Sequence, residues 1–296
     1  MSADTWDEIR TAYHVARLGT VSGAAEALGV HHATVIRHVD ALEARLGTKL
    51  FQRHARGYTP TEAGQDLLAV AAVTDDQFAQ LFSRIKGRGE GVAGDIVVTS
   101  LPVLSPLVSP MLVAFMDAHP DIRVHFLSDE RLYRLEYGEA HVAIRAGARP
   151  EEPDNIVQPF LDLELALYAT RDYADRHGPL TEGAWEGHRF VTIAGEGARA
   201  PFYRWLAANV PDRLIGYRAS RDRTVQDAVA AGAGIGFTTV HEGEANPALV
   251  QMAPPRPDWT VPVWLVTHVD LHRTAKVQSV VRFLKAQAAE KAPGQE

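Results

Sequence analysis

The stretch GTVSGAAEALGVHHATVIRHVDALEARLG, Gly19 to Gly47, decides the fold of the N-terminal part of the chain. Ser22 carries a hydroxyl suited to capping free backbone N–H groups, so a short helix is expected from Ser22 to Leu28. Gly29 closes it, because glycine takes the left-handed helix-ending conformation at little cost. A second helix runs from about His32 to Leu46, with Val35, Val39, Leu42 and Leu46 recurring at helical spacing on one face, and Gly47 ends it. Two short helices joined by a tight glycine-containing turn form a helix-turn-helix.

Outward from this unit, residues 6–18 (Trp6, Ile9, Tyr13, Val15, Ala16, Leu18) have the apolar spacing of a preceding helix. Downstream, Lys49–Arg53 and Tyr58–Pro60 read as two short extended pieces around a basic glycine turn, a wing. A long helix is expected from Thr61 to about Lys86, with the stripe Leu67, Ala71, Thr74, Phe78, Leu81 and Ile85. That stripe either pairs two copies of the chain or packs on its own domain. The run Gly87-Arg88-Gly89-Glu90-Gly91 is the clearest linker.

After the linker the pattern changes. Strands are expected at Ile96–Thr99, Ile122–Leu127, Val142–Arg145, Leu163–Tyr168, Phe190–Ile193, Leu214–Arg218, Ile235–Thr239 and Val261–Val266. Helices are expected near Pro106–His119, Phe202–Ala208, Val225–Ala231 and Ala275–Ala288. Such alternation implies parallel β-α-β units. The domain plan is therefore residues 1–60, 61–88 and 92–290, after which comes a polar tail.

Bulk composition narrows the function. The 296 residues contain no cysteine, which removes disulfides, thiolate metal sites and cysteine nucleophiles and suits a reducing compartment. No run of about 18 uncharged apolar residues exists, and the polar, acidic start lacks a signal-peptide pattern, so a cytoplasmic protein without membrane contact is expected. The formal net charge of −7 argues against a nucleic-acid partner only if charge is uniform. It is not: residues 31–58 hold Arg37, Arg45, Lys49, Arg53 and Arg56 against Asp40 and Glu43, with His31, His32, His38 and His54 in addition.

These residues bring a family into view. The string Gly19–Val30, then Val35–Glu43, then Leu46-Gly47-Thr48-Lys49-Leu50-Phe51-Gln52-Arg53 and Thr59-Pro60-Thr61-Glu62-Ala63-Gly64, resembles the LysR type of transcription regulator. Over about residues 92–290 the likeness rests on strand order and on LEYGEAHVAIR, Leu135–Arg145. The resemblance implies an N-terminal winged helix-turn-helix, a linker helix that makes dimers, and a two-lobed α/β effector domain resembling periplasmic binding proteins. Lobe I would take about 92–160 and 268–290, lobe II about 161–267. Two departures stand out: His31-His32-Ala33-Thr34 and Ile36 replace the family's usual Ser- and Pro-containing helix start, and His141 replaces its usual acid.

On this reading the second helix of the motif enters the major groove, with His31, His32, Thr34 and Val35 near base edges and Arg37 and His38 one turn on. Arg53 and Arg56, in the wing, would meet the DNA backbone or minor groove. A metal reading of the histidines fails, because adjacent histidines diverge on a helix and no carboxylate is spaced to complete a set. In the effector domain, ligands of open α/β sheets sit beyond strand ends and near helix N-termini, which favour anions. Candidate contacts are Ser100, Leu101, Ser128, Thr192 and Thr224, with Phe237 as an apolar wall; the resemblance places a ligand contact at Ser100. Arg145 is read either as an anion partner or as an inter-lobe ion pair. The expected partners are double-stranded promoter DNA, a small anionic effector, a second or further copies of the chain (dimer or tetramer), and RNA polymerase; no cofactor or metal is expected.

An enzyme is the main rival. Gly89–Gly94 matches a dinucleotide fingerprint literally, but it follows a helix and precedes a strand, the reverse of what that motif needs. Gly232–Gly236 has the same defect, and no nucleophile elbow, P-loop or HExxH occurs. A solute-binding protein would not need the helix-turn-helix module, and a purely architectural DNA-binding protein would not need the α/β region.

Overall fold

A computed structural model describes residues 3–54, 57–85, 92–195 and 199–291. The helix-turn-helix is built from α1 (Ala3–Leu18), α2 (Val21–Leu28) and α3 (His32–Leu46). Ala12, Val15, Val21, Ala24, Val35, Val39 and Leu42 form its buried centre, together with Leu50 and Phe51 from the chain leading into the wing. The helix α2 begins one residue earlier than Ser22. Thr20, in an extended conformation, is the cap, and its side-chain oxygen accepts from the Gly23 N–H at 3.1 Å. Gly29 and Gly47 end α2 and α3 in left-handed conformations.

The wing is an antiparallel pair, β1 (Phe51–His54) and β2 (Gly57–Pro60). Glu43, on α3, ties it down. Its buried carboxylate accepts from the Leu50 N–H at 3.0 Å, the Phe51 N–H at 3.3 Å and the Lys49 ammonium at 2.7 Å. The long helix α4 (Glu62–Ile85) starts against this junction: a side chain at Gly64 would meet the Leu50 carbonyl oxygen at 2.1 Å, so only glycine allows the approach. Further along, α4 packs on α1, with Trp6 edge-on to Phe78 at 5.5 Å. Val70, Phe78 and Leu81 nevertheless remain exposed, so packing on its own domain leaves part of the helix's apolar surface open.

The first lobe is a five-stranded sheet flanked by helices. Four of its strands are β3 (Gly94–Ser100), β4 (Ile122–Ser128), β5 (Val142–Ala146) and β6 (Asn155–Leu163), with α5 (Ser105–Ala118) connecting β3 to β4. The chain then crosses to the second lobe. There β7 (Leu165–Thr170), α6 (Arg171–His177), β8 (Phe190–Ile193), α7 (Pro201–Asn209), β9 (Ile215–Ala219), α8 (Asp222–Ala230), β10 (Gly236–Thr239), α9 (Val240–Ala245) and β11 (Leu249–Ala253) follow in order. It returns through β12 (Val261–His268), α10 (Val269–His272) and α11 (Ala275–Lys291).

Two features differ from the sequence expectation. The sheets are mixed: β3 is parallel to β4 and β5, but β12 runs antiparallel to β5 and β6, and β7 antiparallel to β10 and β11. Also, β12 completes the first-lobe sheet, in the order β4-β3-β5-β12-β6, so residues 261–267 belong to lobe I rather than lobe II. Strand β6 was hidden in the sequence by Pro159. It tolerates that proline because it is the edge strand and its pairing with β12 shifts register there.

Candidate DNA-binding and effector-binding sites

One face of α3 is buried and the other is open. Val35 is fully buried with Val39 and Leu42, so its side chain is a core contact and does not reach the surface a duplex would meet. His31, His32 and Arg37 are exposed, and Thr34 and His38 are half-buried beside them. Thr34, Arg37 and His38 share a face by their spacing of three and four. His31 occupies the N-cap position without making a side-chain cap bond, which leaves its ring uncommitted to the helix end. The Thr11 hydroxyl donates to the Asp7 carbonyl at 2.6 Å, so the His38 Nδ1–H is the donor in the 2.9 Å contact with Thr11 Oγ1. His38 Nε2 is therefore its second ring nitrogen, an acceptor while the ring is neutral.

Arg53 is occupied within the chain. Its guanidinium pairs with Asp40 at 2.5 Å and Glu43 at 3.0 Å and lies 5.3 Å from the centre of the Tyr58 ring, locking wing to helix. Arg45 is held by Thr5 at 2.6 Å and Glu8 at 3.0 Å. Arg56 lies outside the described residues. Burial pushes the Glu43 carboxyl up, but Lys49, the two backbone N–H groups and Arg53 outweigh it, and the net shift is downward.

Between the lobes lies a cavity of about 540 Å³, walled by Leu101 and Val103 from lobe I and by Phe202, Tyr203 and Phe237 from lobe II. Phe237 is buried among Phe202 at 5.1 Å, Trp259 at 4.9 Å and Tyr203 at 6.1 Å. The polar groups on this cavity include Asp222 and Gln226 of α8 and the arginines 149, 199 and 204. The Tyr203 hydroxyl donates to Asp222 Oδ1 at 2.8 Å. Burial pushes the pKa of both groups up, and the Asp222 charge adds to the rise at Tyr203.

Of the residues singled out by sequence, Leu101 and Phe237 line this cavity. Ser100 and Arg145 line a smaller one of about 270 Å³ that Leu101 also reaches. The Ser100 hydroxyl donates to the Leu101 carbonyl at 3.1 Å, and Arg145 pairs with Glu152 at 2.9 Å inside lobe I. An ion pair that does cross between the lobes is Arg221 to Glu130, at 2.6 Å. Ser128 and Thr224 are exposed and Thr192 is buried in β8; none of the three lines either cavity. Sequence reading missed Tyr203, Asp222 and Gln226; the spacing of four between the last two was the available signal.

His141, the departure from the family's acid, has a defined role. Its ring Nδ1 accepts from the Val97 N–H at 2.9 Å, while the backbone N–H of His141 donates to the Val97 carbonyl at 2.9 Å. Burial and the Lys276 charge push its pKa down to about 3, so the ring is a neutral acceptor where a carboxylate would also accept. The Gly232–Gly236 segment is likewise structural. It joins α8 to β10, and a side chain at Gly234, at φ +156°, would meet the Arg189 carbonyl oxygen at 2.4 Å. Among the described residues no three histidine or acidic side chains converge as a metal site, and no helix is long and apolar enough to cross a membrane.

A winged helix-turn-helix with an open polar face, followed by two α/β lobes around a cavity, defines a ligand-responsive DNA-binding regulator. Residues 6–65 match the model of the bacterial regulatory helix-turn-helix protein, lysR family, and residues 89–289 match the LysR substrate binding domain. The chain belongs to the LysR family of transcription regulators, and it is a DNA-binding regulator rather than an enzyme. It is 27% identical to the HTH-type transcriptional regulator CbbR of Rhizobium meliloti (strain 1021), over 98% of this chain and 95% of that one. In fold it is similar to full-length LysG from Corynebacterium glutamicum with bound effector Arg, at TM-score 0.66 and 15% identity, covering 96% and 98% of the two chains. It is also similar to full-length CbnR complexed with its target DNA, at TM-score 0.57 and 19% identity, covering 96% and 99%.

Proposed function

We propose that residues 1–60 read promoter DNA through His31, His32, Thr34, Arg37 and His38, that residues 61–88 pair two copies of the chain, and that residues 92–290 sense a small molecule in the inter-lobe cavity. The supporting observation is the division of α3. Its apolar face is spent on the core, and the remaining face offers donors and one exposed arginine at the end that enters a groove. Arg53 braces the wing, and its reach to a phosphate would require giving up Asp40. The pairing surface is the apolar groove of about 1010 Å³ between α1 and α4, lined by Trp6, Leu46, Val70 and Phe78. Arginines on the cavity supply an anion's counter-charge. The regulator works in the cytoplasm, and RNA polymerase responds to the arrangement it imposes on the promoter. CbnR, solved on its target DNA, and LysG, solved with Arg, support the two halves of this reading.

The test is binding of the full chain to the DNA upstream of its own coding region, as a function of salt. Arg37→Ala should weaken binding between about 5-fold and 100-fold if it reads a base, and reduce the salt slope by about one if it meets a phosphate. No affinity at low ionic strength, or an Arg37→Ala variant indistinguishable from the parent, refutes the DNA-contact assignment.

A further inference from the structure

The cavity between the lobes is apolar over most of its wall and polar at one corner. There α8 places Asp222 and Gln226 a turn apart, both on the cavity. Gln226 is only 7% exposed, and its Oε1 has no hydrogen-bond partner. A buried acceptor left unmatched carries its full desolvation cost, and native interiors match nearly all such atoms. Beside it, the proton of the Tyr203 hydroxyl is committed to Asp222 Oδ1. The corner therefore presents acceptors: an unmatched amide oxygen and a carboxyl group. Burial holds that carboxyl above its ordinary range, as expected of an acid that lacks a close cation. Arg221, the adjacent cation, is engaged with Glu130 of the other lobe.

Resting on the reading of the cavity as the effector site, we propose that the effector carries an ammonium group that donates to Gln226 Oε1 and Asp222, with an apolar body against Leu101, Val103 and Phe237. Arg149 and Arg204 are exposed on the same cavity and face an anionic group at the ligand's outer end. The chemical class is an apolar amino acid or a close analogue, not a simple carboxylate. The ammonium supplies the donor that Gln226 lacks and the positive charge that Asp222 lacks, and both are matched by one group.

The experiment uses the full chain and matched probes: L-phenylalanine, 3-phenylpropanoate and phenethylamine, then L-leucine and 4-methylpentanoate, each followed by calorimetry and by thermal shift. The amino acids should bind at least 10-fold tighter than their amine-free partners, with phenethylamine between them. Asp222→Asn should remove that preference. Gln226→Met should raise the Tm of the ligand-free protein by about 2 °C, because it deletes an unmatched acceptor, and should remove the preference too. Equal binding of the amine-free acids, no binding by any probe, or a lower ligand-free Tm in Gln226→Met overturns the inference. Binding of both members of a pair that is abolished by Val103→Trp, which fills the cavity, leaves the cavity reading intact while removing the ammonium. Binding that survives Val103→Trp counts against the cavity reading itself.

Discussion

Replacing Glu43 should uncouple the wing from the helix that carries the DNA-facing residues. The two carboxylate oxygens divide the work. Oε1 accepts from the Leu50 and Phe51 N–H groups, and Oε2 accepts from Lys49 and Arg53. The side chain is 2% exposed, so water does not replace these bonds. Glu43→Gln keeps an oxygen for the backbone pair but turns an amide donor toward two cations. Lys49 is 70% exposed and its share is small, so the loss should be about 1.5–3 kcal/mol, that of a charge-assisted bond. Glu43→Ala also strands two backbone N–H groups, at about 1–3 kcal/mol each if they stay dry, and should lose about 3–5 kcal/mol in total.

The assay is hydrogen exchange of the segment 47–54 in the full-length protein. If the wing opens locally, 3–5 kcal/mol corresponds to exchange about 150-fold to 5000-fold faster in Glu43→Ala, and 1.5–3 kcal/mol to about 10-fold to 150-fold in Glu43→Gln. The pH dependence follows from the lowered pKa of Glu43. The contribution is complete above the unfolded value, near 4.5, and is lost as pH falls through the lower folded value. Glu43→Gln should lack this acid-side loss. Unchanged exchange at Leu50 and Phe51 in Glu43→Ala would refute the reasoning, since both amides donate to that carboxylate.

Two further outcomes are expected. Between pH 6.5 and 5 the unfolded chain takes up a proton at His141 that the folded chain, with its value near 3, refuses, so stability falls with pH. The ring edge reaches a cavity, which limits the loss to about 1–2 kcal/mol; His141→Asn, which keeps an acceptor for the Val97 N–H, should flatten this dependence in urea denaturation relative to the parent. Val70 is 68% exposed on α4, so Val70→Glu should leave the fold intact yet place a carboxylate in the apolar groove; sedimentation should show the self-association weakened at least about 100-fold.

The helix-turn-helix was legible because its signals are local. Gly29, Gly47 and the spacing of Val35, Val39 and Leu42 each act within a turn or two, and the structure moves only the cap, from Ser22 to Thr20. The same periodicity should have withdrawn Val35 from the DNA-facing set, since a residue on the apolar stripe cannot also face a groove. The lobes were legible in order but not in membership. Whether β12 joins lobe I or lobe II depends on pairing with β5 and β6, about a hundred residues upstream. The cavity was least legible, because segments near 101, 147, 200, 222 and 260 meet there only after the chain has crossed between lobes twice. Strand-end serines and threonines drew attention on general grounds. The polar groups at the cavity's corner, Tyr203, Asp222 and Gln226, sit instead near the starts of α7 and α8.

Strand β3 runs between a cavity lined by α1 and the inter-lobe cavity. Its first residues, Asp95 and Val97, border a cavity of about 690 Å³ that Tyr13 and Arg17 of α1 also line. Immediately past its last residue, Leu101 borders the inter-lobe cavity. At roughly 3.3 Å per residue this strand spans about 20 Å between the helix-turn-helix side and the effector side. It is paired on both edges, with β4 and β5, so it bends little. A strand of this kind carries displacement rather than absorbing it, and His141 fastens it to the loop before β5 at Val97. Rigidity alone produces no regulation, since a ligand with equal affinity for two arrangements shifts neither. The ion pair of Arg221 and Glu130 crosses between the lobes and borders the corner holding Asp222. An effector that neutralises Asp222 acts on the electrostatics of that contact, and the energy available for switching is limited to the difference it makes there.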